Sequence, residues 1–204
     1  MHTSRALIPL AIAALLLVTG CTTSPPKNTN NICSIFKEKK GWYDDARDAS
    51  KRWGSPIPVM MAIMHQESKF VADAKPPRTR ILWIFPGPRK SDAYGYAQAK
   101  DATWDWYKDK GGRWGADRDD FGDAIDFIGW YNYQSRKRLG LAVVDTYNLY
   151  LAYHEGHGGF ERQTFKKKAW LLKVASAVNR RAAMYTDQLN GCEAKLKKKG
   201  FLWW

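Results

Sequence analysis

One apolar segment, residues 56–70, constrains the fold more than any other part of the chain. It reads PIPVMMAIMHQESKF, and its apolar residues follow the spacing of one helical face: Val59, Met60, Ile63 and Met64. Ser55 followed by Pro56 is typical of a helix start. We therefore predict a helix over residues 56–69 whose apolar face is buried.

Glu67 lies at the end of this apolar stripe, four residues after Ile63. Desolvation at the border of a buried face raises the pKa of a carboxyl group towards the range that a general acid needs. Taken alone, the segment favours the alternative, a solvated Glu in the last helical turn. Other parts of the chain must decide between the two.

The N-terminus has the pattern of an export signal. An apolar run from Leu7 to Val18 follows a single Arg and is too short to span a membrane as a helix. The residues just before Cys21, Val18-Thr19-Gly20, resemble the bacterial lipobox, which implies that residues 1–20 are cleaved and that Cys21 carries lipid. Secretion without lipid is the alternative.

Residues 21–40 are then predicted to be the lipidated N-terminus and a flexible tether, because residues 22–31 are polar and contain two prolines. In Gram-negative lipoproteins, a second mature residue other than Asp favours sorting to the outer membrane, and Thr22 occupies that position here. The resemblance implies an exported protein that is anchored by lipid on the periplasmic face of the outer membrane.

The chain of 204 residues contains 33 Lys and Arg against 20 Asp and Glu. For an exported protein, this charge favours cell-wall polymers and anionic membrane surfaces as partners, although a merely solvated basic face is the alternative. The export signal and the lack of a nucleic-acid-binding motif argue against nucleic acid. We predict a monomer with one folded domain at residues 41–192 and a basic, aromatic tail at residues 193–204.

Two cysteines remain after Cys21 is assigned to lipid: Cys33 and Cys192, near the two ends of the folded part. An exported protein is in an oxidising compartment, so we predict a disulfide between them. Two buried free thiols are the alternative.

Helical periodicity dominates the rest of the chain, which predicts an all-α, mainly helical fold. The predicted helices are residues 42–53, 56–69, 101–108, 121–139, 145–153 and 166–189. Residues 71–94 form the longest irregular stretch, with four prolines. We predict an irregular loop or a short hairpin there, of the kind that is often functional inside a compact domain.

Three short segments follow one another along the chain: Glu67-Ser68-Lys69-Phe70, Gly95-Tyr96-Ala97-Gln98 and Ala152-Tyr153-His154-Glu155-Gly156. Together, in this order, they resemble the lysozyme-like lytic transglycosylases of the soluble (SLT) type, which cleave the glycan strands of the bacterial cell wall. The resemblance covers about residues 42–189 and implies a lysozyme-like catalytic domain that binds peptidoglycan glycan strands.

The resemblance also implies roles for individual residues. Glu67 would be the sole catalytic acid and base, and Ser68 would hydrogen-bond in the site. Gly95 and Gln98 would line the cleft, where Gln98 contacts the sugar. Tyr153 would stand near the catalytic carboxyl group and orient it.

The chain departs from the family pattern at three of the substrate-binding positions. Members commonly have Gly-Leu-Met-Gln and Ala-Tyr-Asn-Ala-Gly, whereas this chain has Tyr96 in the first motif and His154 and Glu155 in the second. We expect Tyr96 to belong to a repacked cleft floor. His154 replaces an Asn that would contact substrate or Glu67.

A single catalytic carboxyl group is chemically sufficient for a muramic acid substrate. Ordinary glycosidases use two carboxyl groups. In MurNAc, however, the N-acetyl group can assist departure of the leaving group, and the 6-hydroxyl of the same sugar can then attack the anomeric carbon. Glu67 would donate a proton and later accept one. The predicted reaction cleaves the MurNAc-GlcNAc β-1,4 bond without water and leaves 1,6-anhydroMurNAc ends.

Two alternatives remain open. Glu155 could be a second catalytic carboxylate, which would make the protein a hydrolytic muramidase, or the domain could bind peptidoglycan without turnover. We predict no cofactor and no metal site, since His154 and His157 are three residues apart instead of the four that a zincin motif needs. His157 is interpreted as a structural or cleft-lining residue.

Overall fold

The computed structural model describes residues 24–81, 85–112 and 114–200. The predicted signal peptide at residues 1–20, the predicted lipidation site Cys21 and residues 201–204 of the predicted tail lie outside the described residues. Within the described ranges, none of the helices is long and apolar enough to cross a membrane.

The described chain is mainly helical, which confirms the predicted fold class. It contains eight α-helices: α1 (Ile32–Glu38), α2 (Trp42–Trp53), α3 (Ile57–Ser68), α4 (Asp101–Lys110), α5 (Phe121–Leu139), α6 (Thr146–Glu155), α7 (His157–Glu161) and α8 (Ala169–Gly200). A 3-10 turn, Thr164–Lys167, connects α7 to α8. Two strands, β1 (Arg78–Ile81) and β2 (Phe85–Arg89), complete the described elements.

The two strands form an antiparallel hairpin inside the predicted irregular stretch at residues 71–94. Arg78 pairs with Arg89 and Arg80 with Pro86, and the register shifts between Arg78 and Arg80. The Thr79 hydroxyl donates a hydrogen bond to the Pro88 carbonyl at 2.9 Å. Of the two predicted forms of this stretch, the short hairpin is the one observed.

Helix α3 lies at the centre of the core, as its continuous apolar sequence requires. Every residue from Ile57 to His65 is buried, and α3 packs against α2, α5 and α8. Beside it, the rings of Trp42 and Phe121 stack at a centroid distance of 3.9 Å, which joins the starts of α2 and α5. The helix that carries Glu67 is therefore fixed on several sides.

Part of the predicted tether at residues 21–40 is folded, because α1 lies within this range and packs against α8. Ile32 and Ile35 of α1 are fully buried, and the backbone N–H of Ile32 donates to Gln188 Oε1 at 2.9 Å. Cys33 and Cys192 form the predicted disulfide, with 6.2 Å between their Cα atoms. The folded body therefore begins before residue 41.

The C-terminal helix also differs from its prediction. Residues 164–167 form the 3-10 turn, and α8 then continues to Gly200 instead of ending at residue 189. It packs against α1, α3 and α6. Residues 193–200 of the predicted tail are thus helical.

Candidate active site

Glu67 occupies the last turn of α3, immediately before an unusual reversal of the chain. Lys69 and Phe70 both adopt left-handed backbone conformations, with φ of 54° and 63°, which are uncommon for residues other than Gly. The Ser68 hydroxyl donates to the Met64 carbonyl at 3.3 Å and accepts the Phe70 N–H at 3.1 Å. The predicted site residue Ser68 thus holds the turn behind Glu67 and does not line the cleft.

The Glu67 carboxyl group is poorly solvated. Its Oε1 atom is buried and has no hydrogen-bond partner among the described residues. Burial raises the pKa of Glu67 from 4.5 to about 7, even though a hydrogen bond from Tyr150 and the charge of Lys69 act in the opposite direction. A large fraction of Glu67 therefore carries its proton at neutral pH.

Tyr150, on α6, is a site residue that the sequence did not reveal. Its side chain is buried and its hydroxyl hydrogen-bonds the Glu67 carboxyl group. Burial, together with the negative charge of Glu67, raises the pKa of Tyr150, so the hydroxyl stays a donor. The position resembles an ordinary core residue in sequence because it falls between Leu149 and Leu151 in an apolar helix.

Tyr153 lies one turn later on α6 and has a different partner. Its hydroxyl donates to the Ala97 carbonyl at 2.6 Å, and its ring contacts Tyr131 edge-on at 5.1 Å. Burial raises the pKa of Tyr153 well above its ordinary value. Tyr153 lines the cleft beside Glu67, but the hydrogen bond to the catalytic candidate comes from Tyr150.

The Gly95 position requires glycine for two reasons. Its φ is +79°, and a Cβ atom there would lie 2.0 Å from the Arg118 carbonyl oxygen. The Tyr96 N–H donates to the same carbonyl at 3.0 Å. Gly95 is buried and shapes the cleft wall through this close backbone approach, but it is not among the lining residues.

The structure places Tyr96 in the core and not in the cleft. It is fully buried, and its ring meets Trp42 and Phe121 edge-on at 5.7 and 5.9 Å. We therefore assign it a packing role instead of the predicted contact with substrate. An aromatic side chain at this position fills the space between α2 and α5.

Gln98 does line the cleft, as predicted. Its φ is 47°, and its side-chain Nε2 donates to the carbonyls of Ala74 and Gly95 at 2.8 and 3.0 Å. Because both amide hydrogens are used within the loop, the Oε1 atom is the part of the side chain left to accept a hydrogen bond from a ligand.

Glu67, Gln98 and Tyr153 are among the residues that surround a cleft of about 420 Å³. It is bounded by α3, α4, α5, α6 and the segments on either side of the hairpin. Its lining residues are Glu67, Pro76, Ser91, Ala93, Gln98, Ala99, Lys100, Thr103, Phe127, Tyr131, Tyr153, His154, Glu155 and Gly156. The cleft therefore contains two carboxyl groups, in very different surroundings.

Glu155 is held in a network of hydrogen bonds at the end of α6. Its side chain is 3% exposed and pairs with Lys168 Nζ at 2.7 Å. Thr164 and His154 also hydrogen-bond its carboxylate. Burial alone would raise the pKa of Glu155, but these three partners together lower it to about 2, so the group is ionised across the physiological range.

His157 contributes to the wall behind the cleft. It is buried, its Nε2 lies 2.9 Å from the Ser135 hydroxyl, and its ring stacks on Tyr131 at 4.6 Å. Burial lowers its pKa. This agrees with the interpretation of His157 as a structural residue.

In the described ranges, no group of three or more His, Cys, Asp or Glu side chains is placed to hold a metal ion. Comparison with protein families then decides the relationship of the chain: the family model described as "Transglycosylase SLT domain" matches residues 9–192. The chain belongs to the SLT transglycosylase family. No curated protein and no solved structure matches the chain.

Membership in the SLT family indicates a peptidoglycan-degrading lytic transglycosylase that binds glycan strands. The hydrogen-bond network of Glu155 explains one difference between this chain and the motif that family members commonly have at residues 152–156. Where members commonly have Ala, this chain has a carboxylate that joins α6 to the 3-10 turn through Lys168 and Thr164.

Proposed function

We propose that the protein cleaves the MurNAc-GlcNAc β-1,4 bond of peptidoglycan without water and leaves 1,6-anhydroMurNAc ends, with Glu67 as the acid and then the base. The observation that carries this proposal is the environment of Glu67. Its buried, unpartnered Oε1 lies in the cleft, and its pKa is raised to about 7. One group with such a pKa can donate a proton and recover one at neutral pH.

In the first step, protonated Glu67 gives its proton to the glycosidic oxygen. The bond between that oxygen and C1 of MurNAc breaks, and the carbonyl oxygen of the substrate's own N-acetyl group bonds to C1. The GlcNAc side leaves as an alcohol, and Glu67 becomes a carboxylate. The Tyr150 hydroxyl, which bonds this carboxyl group, stabilises the negative charge at that stage.

In the second step, the Glu67 carboxylate takes the proton of the 6-hydroxyl of MurNAc. The 6-oxygen attacks C1, the bond from C1 to the acetamido oxygen breaks, and the 1,6-anhydro ring closes. Glu67 is protonated again. No water is consumed, so no second protein carboxyl group is needed to activate one.

The surroundings of Glu155 disfavour the hydrolytic alternative. A second catalytic carboxylate must be free to attack or to activate water, whereas both Glu155 oxygens accept bonds from Lys168 at 2.7 and 3.0 Å. Thr164 donates a further bond to Oε2. We propose that Glu155 positions the end of α6 and takes no part in bond cleavage.

Paired Glu-to-Gln variants test this assignment. Glu67→Gln should lower the release of soluble muropeptides from sacculi by about 10³-fold or more, since general acid and base catalysis are both lost. Glu155→Gln should retain activity within about tenfold while lowering stability, because Lys168 loses its charged partner. Circular dichroism confirms folding. A folded Glu67→Gln protein with undiminished activity would falsify the proposal.

The pH dependence of kcat/KM gives a second test of the same proposal. Because the first step needs protonated Glu67, activity should fall as the pH rises through about 7, the pKa to which burial raises this group. The assay compares initial rates from about pH 5 to about pH 9 on solubilised glycan strands. Activity that stays constant across this range would contradict the role of Glu67 as the acid.

We also propose, from the sequence alone, that the protein is exported and anchored by lipid at Cys21 on the periplasmic face of the outer membrane, and that it acts as a monomer. The lipobox-like residues 18–21 support the anchor. Metabolic labelling with a fatty acid should mark the wild type and not Cys21→Ala. Label on the Cys21→Ala protein would contradict this anchor site.

A further inference from the structure

A cluster of basic and aromatic side chains lies beside one end of the cleft. This basic-aromatic patch consists of Lys166 and Lys167 in the 3-10 turn and of Trp170 and Lys173 in α8. Trp170 is 55% exposed, and Lys173 follows it by one helical turn. All three lysines are exposed. Residues 166–173 thus expose one large aromatic ring and three cationic groups.

The patch is continuous with the cleft. The Trp170 ring meets the His154 ring at 5.2 Å and 78°, and His154 lines the cleft. Between them, Lys168 bonds Glu155, another lining residue. A strand that leaves the cleft past His154 therefore meets Trp170, and Lys173 follows Trp170 by one turn of α8.

The charges of the patch are available to a ligand. Glu155 neutralises Lys168, and the nearby Glu161 pairs with Arg138 at 2.9 Å. By contrast, no carboxylate of the described chain lies within 4 Å of the ammonium groups of Lys166, Lys167 or Lys173. Among the described residues, the patch thus offers three cations without a salt bridge within four residues of one exposed aromatic side chain.

We propose that this patch is a binding subsite for the peptidoglycan strand beyond the cleft, in which Trp170 stacks on a sugar ring and the lysines bind carboxylates of the stem peptide. The apolar face of a pyranose ring fits an exposed indole. Stem peptides carry free carboxylates, which ammonium groups bind at short range. The inference rests on the proposed function, since it takes the cleft to hold the glycan strand.

Binding measurements in the Glu67→Gln background test the subsite without degrading the ligand. The probes are soluble glycan strands that retain their stem peptides and the same strands after an amidase has removed the peptides. Trp170→Ala should weaken binding of both probes by about tenfold, as truncation of an aromatic anchor does. The double variant Lys167→Glu/Lys173→Glu should weaken binding of the peptide-bearing strands more than binding of the amidase-treated strands, which keep only the lactyl carboxylate of each MurNAc. The loss should be smaller at high salt.

Matched controls use equivalent side chains elsewhere on the surface. Trp114 is 101% exposed and does not line the cleft, so Trp114→Ala should leave both affinities unchanged. Lys37 and Lys195 are exposed residues of α1 and α8 that form no salt bridge within the described chain. The double variant Lys37→Glu/Lys195→Glu makes the same change in net charge. If Trp170→Ala binds as tightly as Trp114→Ala, the sugar contact is wrong.

The remaining outcomes also decide the inference. If the two lysine double variants lost the same affinity for peptide-bearing strands, the loss would be a general effect of net charge. That result would overturn the proposed contact with the stem peptide. If the patch variants lost binding to anionic phospholipid vesicles but bound the strands as tightly as before, the patch would be a membrane-binding surface and the inference would be overturned.

Failure of the proposed chemistry gives a distinct result. If wild type released no anhydro ends but the patch variants still weakened strand binding, the reaction would be wrong while the subsite stood.

Discussion

At the scale of single residues, the molecule separates two carboxyl groups that share one cleft. Glu67 has a buried oxygen with no hydrogen-bond partner in the described chain and a raised pKa, whereas Glu155 is paired with Lys168 and has a lowered pKa. One is ready to exchange a proton near neutral pH and the other is not. The difference arises from the partners of each carboxyl group, since burial alone would raise the pKa of both.

The raised pKa of Glu67 makes a prediction about stability. The folded protein holds this proton up to about pH 7, while the unfolded chain releases it near 4.5. The contribution of this proton to the free energy of unfolding is therefore fully present below pH 4.5. It is lost as the pH rises to about 7, which lowers the free energy of unfolding by roughly 3 kcal/mol. Glu67→Gln removes this loss, because the amide does not ionise.

Urea unfolding at about pH 4 and about pH 8 measures the effect. Relative to wild type, Glu67→Gln should gain roughly 3 kcal/mol in the free energy of unfolding between the two pH values. Glu155→Gln is a suitable comparison, since the pKa of Glu155 is shifted in the opposite direction. An identical pH dependence for wild type and Glu67→Gln would show that the carboxyl group is not desolvated.

Tyr150 and Tyr153 allow a second prediction, because the bond to Glu67 comes from Tyr150. Loss of that hydrogen bond raises the pKa of Glu67 further, so Tyr150→Phe should move the alkaline limb of the activity profile to higher pH. The rate should fall by about tenfold, as the carboxylate formed in the first step loses its donor. Tyr153→Phe should leave the limb in place and cost about 1–3 kcal/mol of stability, since the Ala97 carbonyl loses its donor.

Rate profiles over the same pH range distinguish the two tyrosines. If the alkaline limb of the profile shifted in Tyr153→Phe and not in Tyr150→Phe, Tyr153 and not Tyr150 would be the residue that hydrogen-bonds Glu67.

The sequence predicted the position of Glu67 well but not its surroundings. The apolar run before Glu67 fixes the helix, and the family resemblance suggested the role that we propose for Glu67. Tyr150 was missed because a buried Tyr in an apolar helix has the pattern of a core residue. Tyr96 was misplaced because the motif gives its neighbours and not the direction of its side chain, which depends on contacts with Trp42 and Phe121.

At the scale of the elements, the cleft wall depends on one close backbone approach. Gly95→Ala would bring Cβ to 2.0 Å from the Arg118 carbonyl oxygen at a φ of +79°. The backbone cannot yield without breaking the Tyr96-to-Arg118 hydrogen bond. We expect a loss of about 3 kcal/mol or more in the free energy of unfolding, together with loss of strand binding.

Gly140→Ala is the matched control for this variant. Gly140 has a φ of +69°, and a Cβ added there would meet no atom within 4 Å. Its substitution therefore isolates the cost of the backbone conformation, about 1 kcal/mol. Equal losses for Gly95→Ala and Gly140→Ala in chemical denaturation would show that the approach to Arg118 is unimportant.

Helices with clear local end signals were predicted closely, whereas α1 and the end of α8 were not. The limits of α2 and α5 agree with residues 42–53 and 121–139, because clear periodicity and glycines at their C-terminal ends mark both. Helix α1 has only seven residues, and its sequence follows a polar segment. It is stabilised by packing on α8 and by the disulfide, and these long-range contacts leave no local pattern.

At the scale of the whole molecule, the disulfide fastens the first described helix to the last. Cys33 and Cys192 are separated by 159 residues, so the bond constrains most of the unfolded chain. Reduction should lower the free energy of unfolding by about 4–5 kcal/mol at most. The cleft is built from other helices, and activity at room temperature should therefore persist after reduction.

Thermal unfolding with and without a reductant measures this contribution. The double variant Cys33→Ser/Cys192→Ser should unfold at the temperature of the reduced wild type and should not respond to the reductant. A wild-type melting temperature that is unaffected by the reductant, with thiols shown to be free, would contradict the stabilising role.

The central claim is that Glu67 alone drives cleavage without water, and the products formed in H₂¹⁸O test it most directly. Sacculi digested by the wild-type protein should release muropeptides with 1,6-anhydroMurNAc ends and no ¹⁸O, as mass spectrometry would show. Reducing ends that carry ¹⁸O would mean that water attacks the anomeric carbon, and would contradict the account.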